Sequence, residues 1–393
     1  MNDNTAARLC LFLAILLGPV VGPVRADDAS KTLAGTCLVF VGTDTGPKSQ
    51  GIYAYRLDLA SGQCTPLGLA AAVKSPSFLA VHPNLKFLYS VNEIDDFEKK
   101  PAGGVSAFAI DPQTGKLQFL NHQSSQGAGP CHLVVDKSGQ TVLVANYGGG
   151  SVAALPIGPD GKLSPATSFI QHVGSSVNAS RQKAPHAHSI NVDPGNHFAV
   201  AADLGLDKVL VYRLDPAASK LTANDPPSVA VKPGSGPRHF AFHTSGKFAY
   251  VINEILCTVT AFAYDGQHGK LTERQTISTL PAGVDIKPEY STAEMQVHPS
   301  GKFVYGSNRG HDSITVFAVD QTDGTLRTVE NKSTGGKTPR GFGIDPTGHF
   351  LLAGNQDSHT ITVFRIDQET GKLTATGKPL EVGSPVCVKF VMP

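Results

Sequence analysis

Arg238 and Glu254 stand sixteen residues apart in the stretch PRHFAFHTSGKFAYVINEI, Pro237 to Ile255, which also carries His239 and His243. A guanidinium offers a planar fork that matches carboxylate or phosphate. Imidazole and carboxylate are the usual proton-transfer groups. His188, Arg309 and Arg340 occupy places in a recurring sequence pattern that correspond to those of Arg238 and Glu254. Side chains of these types, brought to one point, could bind an anion, deprotonate a water and hold an oxyanion. Whether they meet depends on the elements that carry them.

Those elements repeat. The turns HPNLKF at His82, DKSGQT at Asp136, DPGNHF at Asp193, HTSGKF at His243, HPSGKF at His298 and DPTGHF at Asp345 recur at intervals of 54, 57, 50, 55 and 47 residues. A period of this size marks a repeat architecture. Around each turn the chain reads as four short strands. Strand A precedes the turn, as in Phe78 to Val81. Strand B follows it, as in FLYSVN at Phe87 and FVYGSN at Phe303; strand C is GVSAFAID at Gly104 or SITVFAVD at Ser313. A Gly-containing turn then leads to strand D, as in GKLQFL at Gly115. Four antiparallel strands in about fifty residues make a propeller blade. Six units are complete. The seventh is split: strand B at Leu38 to Val41 lacks a strand A before it, and Pro385 to Val391 reads as a strand A with no B after it. The expected fold is all-β, a single seven-bladed β-propeller closed by pairing of the C-terminal strand with the N-terminal blade, which removes open edges.

The start of strand A and the end of strand B lie at the same face of a blade. Two columns should therefore meet at one mouth of the channel. The first holds Ser77, Cys131, His188, Arg238, Ala293, Arg340 and Val386; the second holds Asp44, Glu93, Tyr147, Leu204, Glu254, Arg309 and Gln356. His188 on the fourth blade, Arg238 and Glu254 on the fifth, Arg309 on the sixth, and Arg340 and Gln356 on the seventh would put three guanidiniums, an imidazole and a carboxylate on one side of that mouth, where they could bind an anion and move a proton. His186 flanks His188 and could take its place. The competing reading is a set of inter-blade salt bridges. The recurrent Asn92, Asn146, Asp203, Asn253, Asn308 and Asn355 suit turn capping, although Asn253 is also placed at the ligand. His82, His243 and His298 fall at A–B turns on the opposite face, and His132 and His239 should point between blades.

Lys and Arg number 33 against 32 Asp and Glu, which gives no footprint for nucleic acid. Arg8, the apolar run Leu9 to Val21 and Val24-Arg25-Ala26 read as a signal peptide, residues 1–26, cut before Asp27. Residues 27–393 would form the propeller, exported to a periplasmic or secreted location and monomeric, with no transmembrane span after cleavage. The five remaining cysteines include no CxxC and spell neither a zinc site nor a disulfide scaffold. Cys37 and Cys387 would lie on neighbouring strands of one blade, and an exported protein could oxidise them.

VGTDTGPKSQGIYAYRLD, GSGPRHFAFHTSGKFAYVINE, SNRGHDSITVF and TPRGFGIDPTGHFLLAGNQ resemble the seven-bladed 6-phosphogluconolactonases, a family that includes the fungal carboxymuconate lactonising enzyme. The likeness covers all seven blades. It implies a lactone hydrolase without metal or cofactor, with the substrate in the channel mouth and the family's active-site His, Arg, Glu and Arg on His188, Arg238, Glu254 and Arg309. Arg340, in the PRGF motif, would be a further contact for a substrate anion. The family pattern often has Tyr where this chain has Asp44. The substrate would be 6-phospho-glucono-1,5-lactone or a related sugar lactone. Glu254 or His188 could be the base. Two alternatives stand beside this: a non-catalytic propeller binding a protein or carbohydrate, and a muconate-type lactonising enzyme.

Overall fold

Each sequence repeat becomes a four-stranded antiparallel sheet, and the seven sheets form a ring. The computed structural model describes residues 35–392, so the expected signal segment, 1–26, lies outside the described residues. No described helix is long and apolar enough to cross a membrane. In blade 5 the strands, from axis to rim, are Pro237–Phe242, Phe248–Asn253, Thr258–Asp265 and Lys270–Ser278. The second strand is buried at every position and the outermost is largely exposed. Inner strands are covered on both faces by the neighbouring blades, so they read as continuous apolar runs such as Phe248 to Ile252. Only toward the rim does one face meet water.

The core therefore lies in the seams between blades. Tyr250, Ile252 and Val259 of blade 5 pack on Met295, Val304 and Phe317 of blade 6. Polar bolts tie the same seams. The hydroxyls of Tyr89, Tyr250 and Tyr305 donate to the carbonyls of Gly161, Gly324 and Gly371 in the next blade, at 3.0, 3.0 and 2.7 Å. On the A–B turn face, Nε2 of His82, His243 and His298 donates to the carbonyls of Gly139, Gly301 and Gly348, at 2.9, 2.7 and 2.8 Å. These three histidines are structural, as expected.

Each innermost strand touches the innermost strands of both neighbours, all the way round. Closure comes from Pro385–Val391, which pairs antiparallel with Thr36–Thr43, Leu38 opposite Val391 and Gly42 opposite Cys387. That register separates the two cysteines expected to be neighbours. Cys37 sits at one end of the ladder and Cys387 near the other, five residues apart in register, and both are free and buried. At about 3.3 Å per residue the gap far exceeds disulfide reach. Cys37 and Cys387 are therefore not the cross-strand neighbours expected, and no disulfide joins them.

Candidate active site

The first column is made by bulges. The A–B ladder slips by one residue at Cys131, His188, Arg238 and Arg340, and opposite Gly42 and Thr43 at Val386. A bulged residue leaves the regular in-and-out alternation and its side chain is re-aimed. The second column is pinned beside the first by one recurring bond. The amides of Asp44, Glu93, Tyr147, Leu204, Glu254 and Gln356 donate to the carbonyls of Ser384, Ser75, Gly129, His186, Gly236 and Thr338. Each acceptor lies two residues before the first-column residue of its blade. Both columns thus face one mouth.

Glu254 is the hub, 4% exposed. Its Oε2 accepts from Arg238 Nε at 2.9 Å and lies 3.0 Å from Arg309 Nη2; its Oε1 accepts from Arg181 Nη2 at 2.6 Å. His188 Nε2 stands 3.9 Å from Oε2. The arginines are held by blade 6 in turn: Arg238 Nη1 donates to the Ala293 carbonyl at 2.7 Å and Arg309 Nη2 to the Thr292 carbonyl at 2.8 Å. Arg309 Nε is buried without an acceptor.

The charges reshape one another. Burial alone would raise the Glu254 carboxyl, but Arg309, Arg238 and Arg181 outweigh it and bring the pKa down to about 2. Burial, with Arg309 beside it, lowers Arg238 to about 10 against the pull of Glu254. Burial and then the positive charge of Arg238 hold His188 well below its ordinary value, so its imidazole is neutral at pH 7. Cys131 Sγ lies 3.5 Å from His188 Nδ1, but burial pushes this thiol up and away from the thiolate that a nucleophile needs.

The expected set is only partly one site. His188, Arg238, Glu254 and Arg309 come together. Arg340 reaches past the uncharged Val386 of blade 1 and lies 3.7 Å from Glu93 of blade 2, which also takes a hydrogen bond from Ser77. The charge of Arg340 still reaches the cluster, where it adds to the lowering of His188 and Arg238. Gln356 is half-buried at the rim. Asn253 is fully buried, and its amide donates to Thr258 and Thr260 within its own blade, each at 3.0 Å, so its side chain is turned away from the cluster. His186 stacks on Tyr147 and bonds that residue's carbonyl, leaving His188 as the imidazole at Glu254.

Arg181 was not anticipated. It comes from residues 172–186, which join blades 3 and 4 outside the repeat, and no column of the alignment contains it. The available signal was the length of that connector. His132 and His239 do not point between blades as expected: they come from the inner strands of blades 3 and 5, which are not neighbours, and meet ring to ring at 5.3 Å across the axis, with His239 Nδ1 3.1 Å from Glu294 Oε1. They line an axial cavity of about 430 Å³ whose wall includes Thr244 and Pro346 of the A–B turns, and His239 also touches the His188 ring at 5.5 Å.

The model of the family described as lactonase, 7-bladed beta-propeller, matches residues 38–390. A Bacillus subtilis protein named 6-phosphogluconolactonase is 41% identical over 352 residues, 90% of this chain and 97% of the relative. A Formosa agariphila protein of the same name is 36% identical over 78% of this chain and 86% of its own length. The solved periplasmic gluconolactonase of Pseudomonas aeruginosa superposes with a TM-score of 0.85 at 36% identity, over 91% of this chain and 100% of the other. With its closed ring of seven blades and a match that runs from the second strand of the split blade to its closing strand, the chain belongs to the seven-bladed β-propeller lactonase family.

Proposed function

We propose that this protein hydrolyses a sugar lactone, with His188 as general base. One observation carries the reading: three guanidiniums converge on a single buried carboxylate beside a neutral imidazole. A salt-bridge network that served packing alone would balance its charges. This one is cationic, which suits an oxyanion. The names of the Bacillus and Pseudomonas relatives support the lactone chemistry.

Water, deprotonated by His188 Nε2, attacks the lactone carbonyl carbon. The tetrahedral oxyanion is held by Arg238 and Arg309, a role worth about 3 kcal/mol per donor in other enzymes. The ring C–O bond then breaks, and the imidazolium returns its proton to the departing ring oxygen, giving the hydroxy acid. Glu254 is a positioning residue here. Both its oxygens are taken by arginines and a carboxyl at about 2 is a weak base at pH 7. It orients the guanidiniums and stabilises the imidazolium when it forms.

The test is titration of acid release from glucono-1,5-lactone, its 6-phosphate and a muconate-derived lactone, above the spontaneous rate. Because His188 is held below the usual histidine value, kcat/KM should stay level from neutral pH down past 6.5 and fall only in more acidic buffer. Absence of turnover with all three lactones would discard the hydrolase reading. Export is part of the same proposal, supported by the signal-like residues 8–26 and by the periplasmic location in the name of the Pseudomonas relative. Mature protein recovered outside the cytoplasm should begin at Asp27; an intact Met1 on soluble cytoplasmic protein refutes it.

A further inference from the structure

The connectors from strand D to the next strand A form the rim of the active mouth, and two of them are unlike the rest. Five span three to six residues. Residues 172–186, before blade 4, and 279–290, before blade 6, are two to three times longer. They flank the blades that supply His188, Arg238 and Glu254. The first is firmly anchored: Gln182 is fully buried with its amide on the Leu204 carbonyl at 2.8 Å, and Ser176 donates to Asp207 at 2.6 Å. Asn178 Oδ1 accepts from the Ser180 and Arg181 amides, both at 3.1 Å, in a turn that presents Arg181. This is a built wall.

Between the two loops runs a groove of about 510 Å³, within the size range of small-ligand sites. Arg181 is one wall, and the same guanidinium touches Glu254, so the groove lies beside the cluster and shares Arg181 with it. Ile255 and Ile286 give it an apolar side. Lys287 is the opposing cation. Its Nζ rests 5.4 Å above the Tyr290 ring, and it has no ion pair among the described residues although Asp285 and Glu289 are on the same loop. The side chain of Arg181 is 42% exposed, so part of its fork remains open to the groove. Arg340, across the mouth, already has Glu93.

We propose that this groove is a subsite for an anionic group, carboxylate or phosphate, at the end of the sugar chain far from the lactone carbonyl, with Lys287 and Arg181 as its cations. The proposal rests on the sugar-lactone reading and deepens it: the preferred substrate carries a negative charge at its far end, and the contact falls on Lys287 rather than Arg340. A charge-assisted contact of this kind corresponds to roughly a tenfold difference in affinity.

Binding of three hydrolysis-product analogues by calorimetry tests it without turnover. Gluconate ends in a neutral hydroxymethyl group, glucarate in a carboxylate and 6-phosphogluconate in a phosphate. Wild-type protein should bind one or both of the probes with a distal anion about tenfold more tightly than gluconate, and which of them wins identifies the anion. Lys287→Ala should cut that preference to less than about threefold, and Lys287→Glu should abolish it. The preference should shrink as salt is raised, since Lys287 is exposed. Arg340→Ala should retain it. Equal affinity for all three probes overturns the proposal, as does a preference that survives Lys287→Glu or disappears with Arg340→Ala. Turnover of lactones with equal affinities defeats the subsite alone, whereas the preference without any turnover upholds the subsite and defeats only the hydrolase reading.

Discussion

With His188 as the proposed base, His188→Ala should lower kcat for lactone opening by at least ~100-fold, the scale of a lost general base, and abolish the acid limb of the pH profile. Glu254→Gln also lowers kcat by at least ~100-fold, because the oxyanion arginines lose the carboxylate that aims them. The two are separated by pH: the glutamine variant keeps a His188-dependent acid limb, shifted still lower by three guanidiniums without a counter-charge. An acid limb lost in Glu254→Gln and kept in His188→Ala would exchange their roles. The glutamine variant carries a stability signature as well. Glu254 has a folded pKa of about 2 against an ordinary 4.5. A depressed carboxyl contributes stability above its unfolded value and loses it as pH falls toward the folded one. Glutamine mimics the protonated acid, so the variant should be about 3 kcal/mol less stable than wild type at pH 7, a gap that closes between pH 4.5 and 2. Denaturant midpoints across that window measure it. A gap that does not change with pH would mean that packing, not charge, holds Glu254.

Deletion of residues 385–393 should cost the whole fold. The closing strand Pro385–Val391 pairs with Thr36–Thr43 and packs beside the innermost strand of blade 7. The approach there is close: a Cβ on Gly341 would meet the Val386 carbonyl oxygen at 2.1 Å. Val386, Cys387, Val388 and Val391 are buried, and their loss would leave an unpaired strand edge on blade 1 and uncover the seam to blade 7. Exposed edges template aggregation. The truncated protein should lose its cooperative melt and elute as aggregate, with the full chain as reference. A truncation that melts as the full chain does would show that the ring is held by the other seams.

The period of the turns determined the number of blades, because a fifty-residue unit with four strand-length apolar runs has few other ways to bury them. The lone strand A at Pro385 and the lone strand B at Leu38 determined how the ring closes, for the same reason: each needs a partner. Strand phase was enough to bring His188, Arg238, Glu254 and Arg309 to one mouth. What phase could not tell is where a side chain goes once the ladder slips. The bulges at His188 and Arg238 aim those side chains at Glu254, whereas Asn253, one residue before Glu254 and within the regular ladder, turns into its blade. Cys37 and Cys387 were adjacent by strand order but distant by register, which cross-strand pairing alone fixes. Arg181 was invisible to a repeat alignment because it belongs to an insertion, and an insertion takes its place from anchors such as Gln182 on Leu204. The proton assignment also needed the folded chain. Sequence offered an imidazole and a carboxylate as equals; only the packed site puts three guanidiniums on the carboxylate and buries the imidazole neutral beside it.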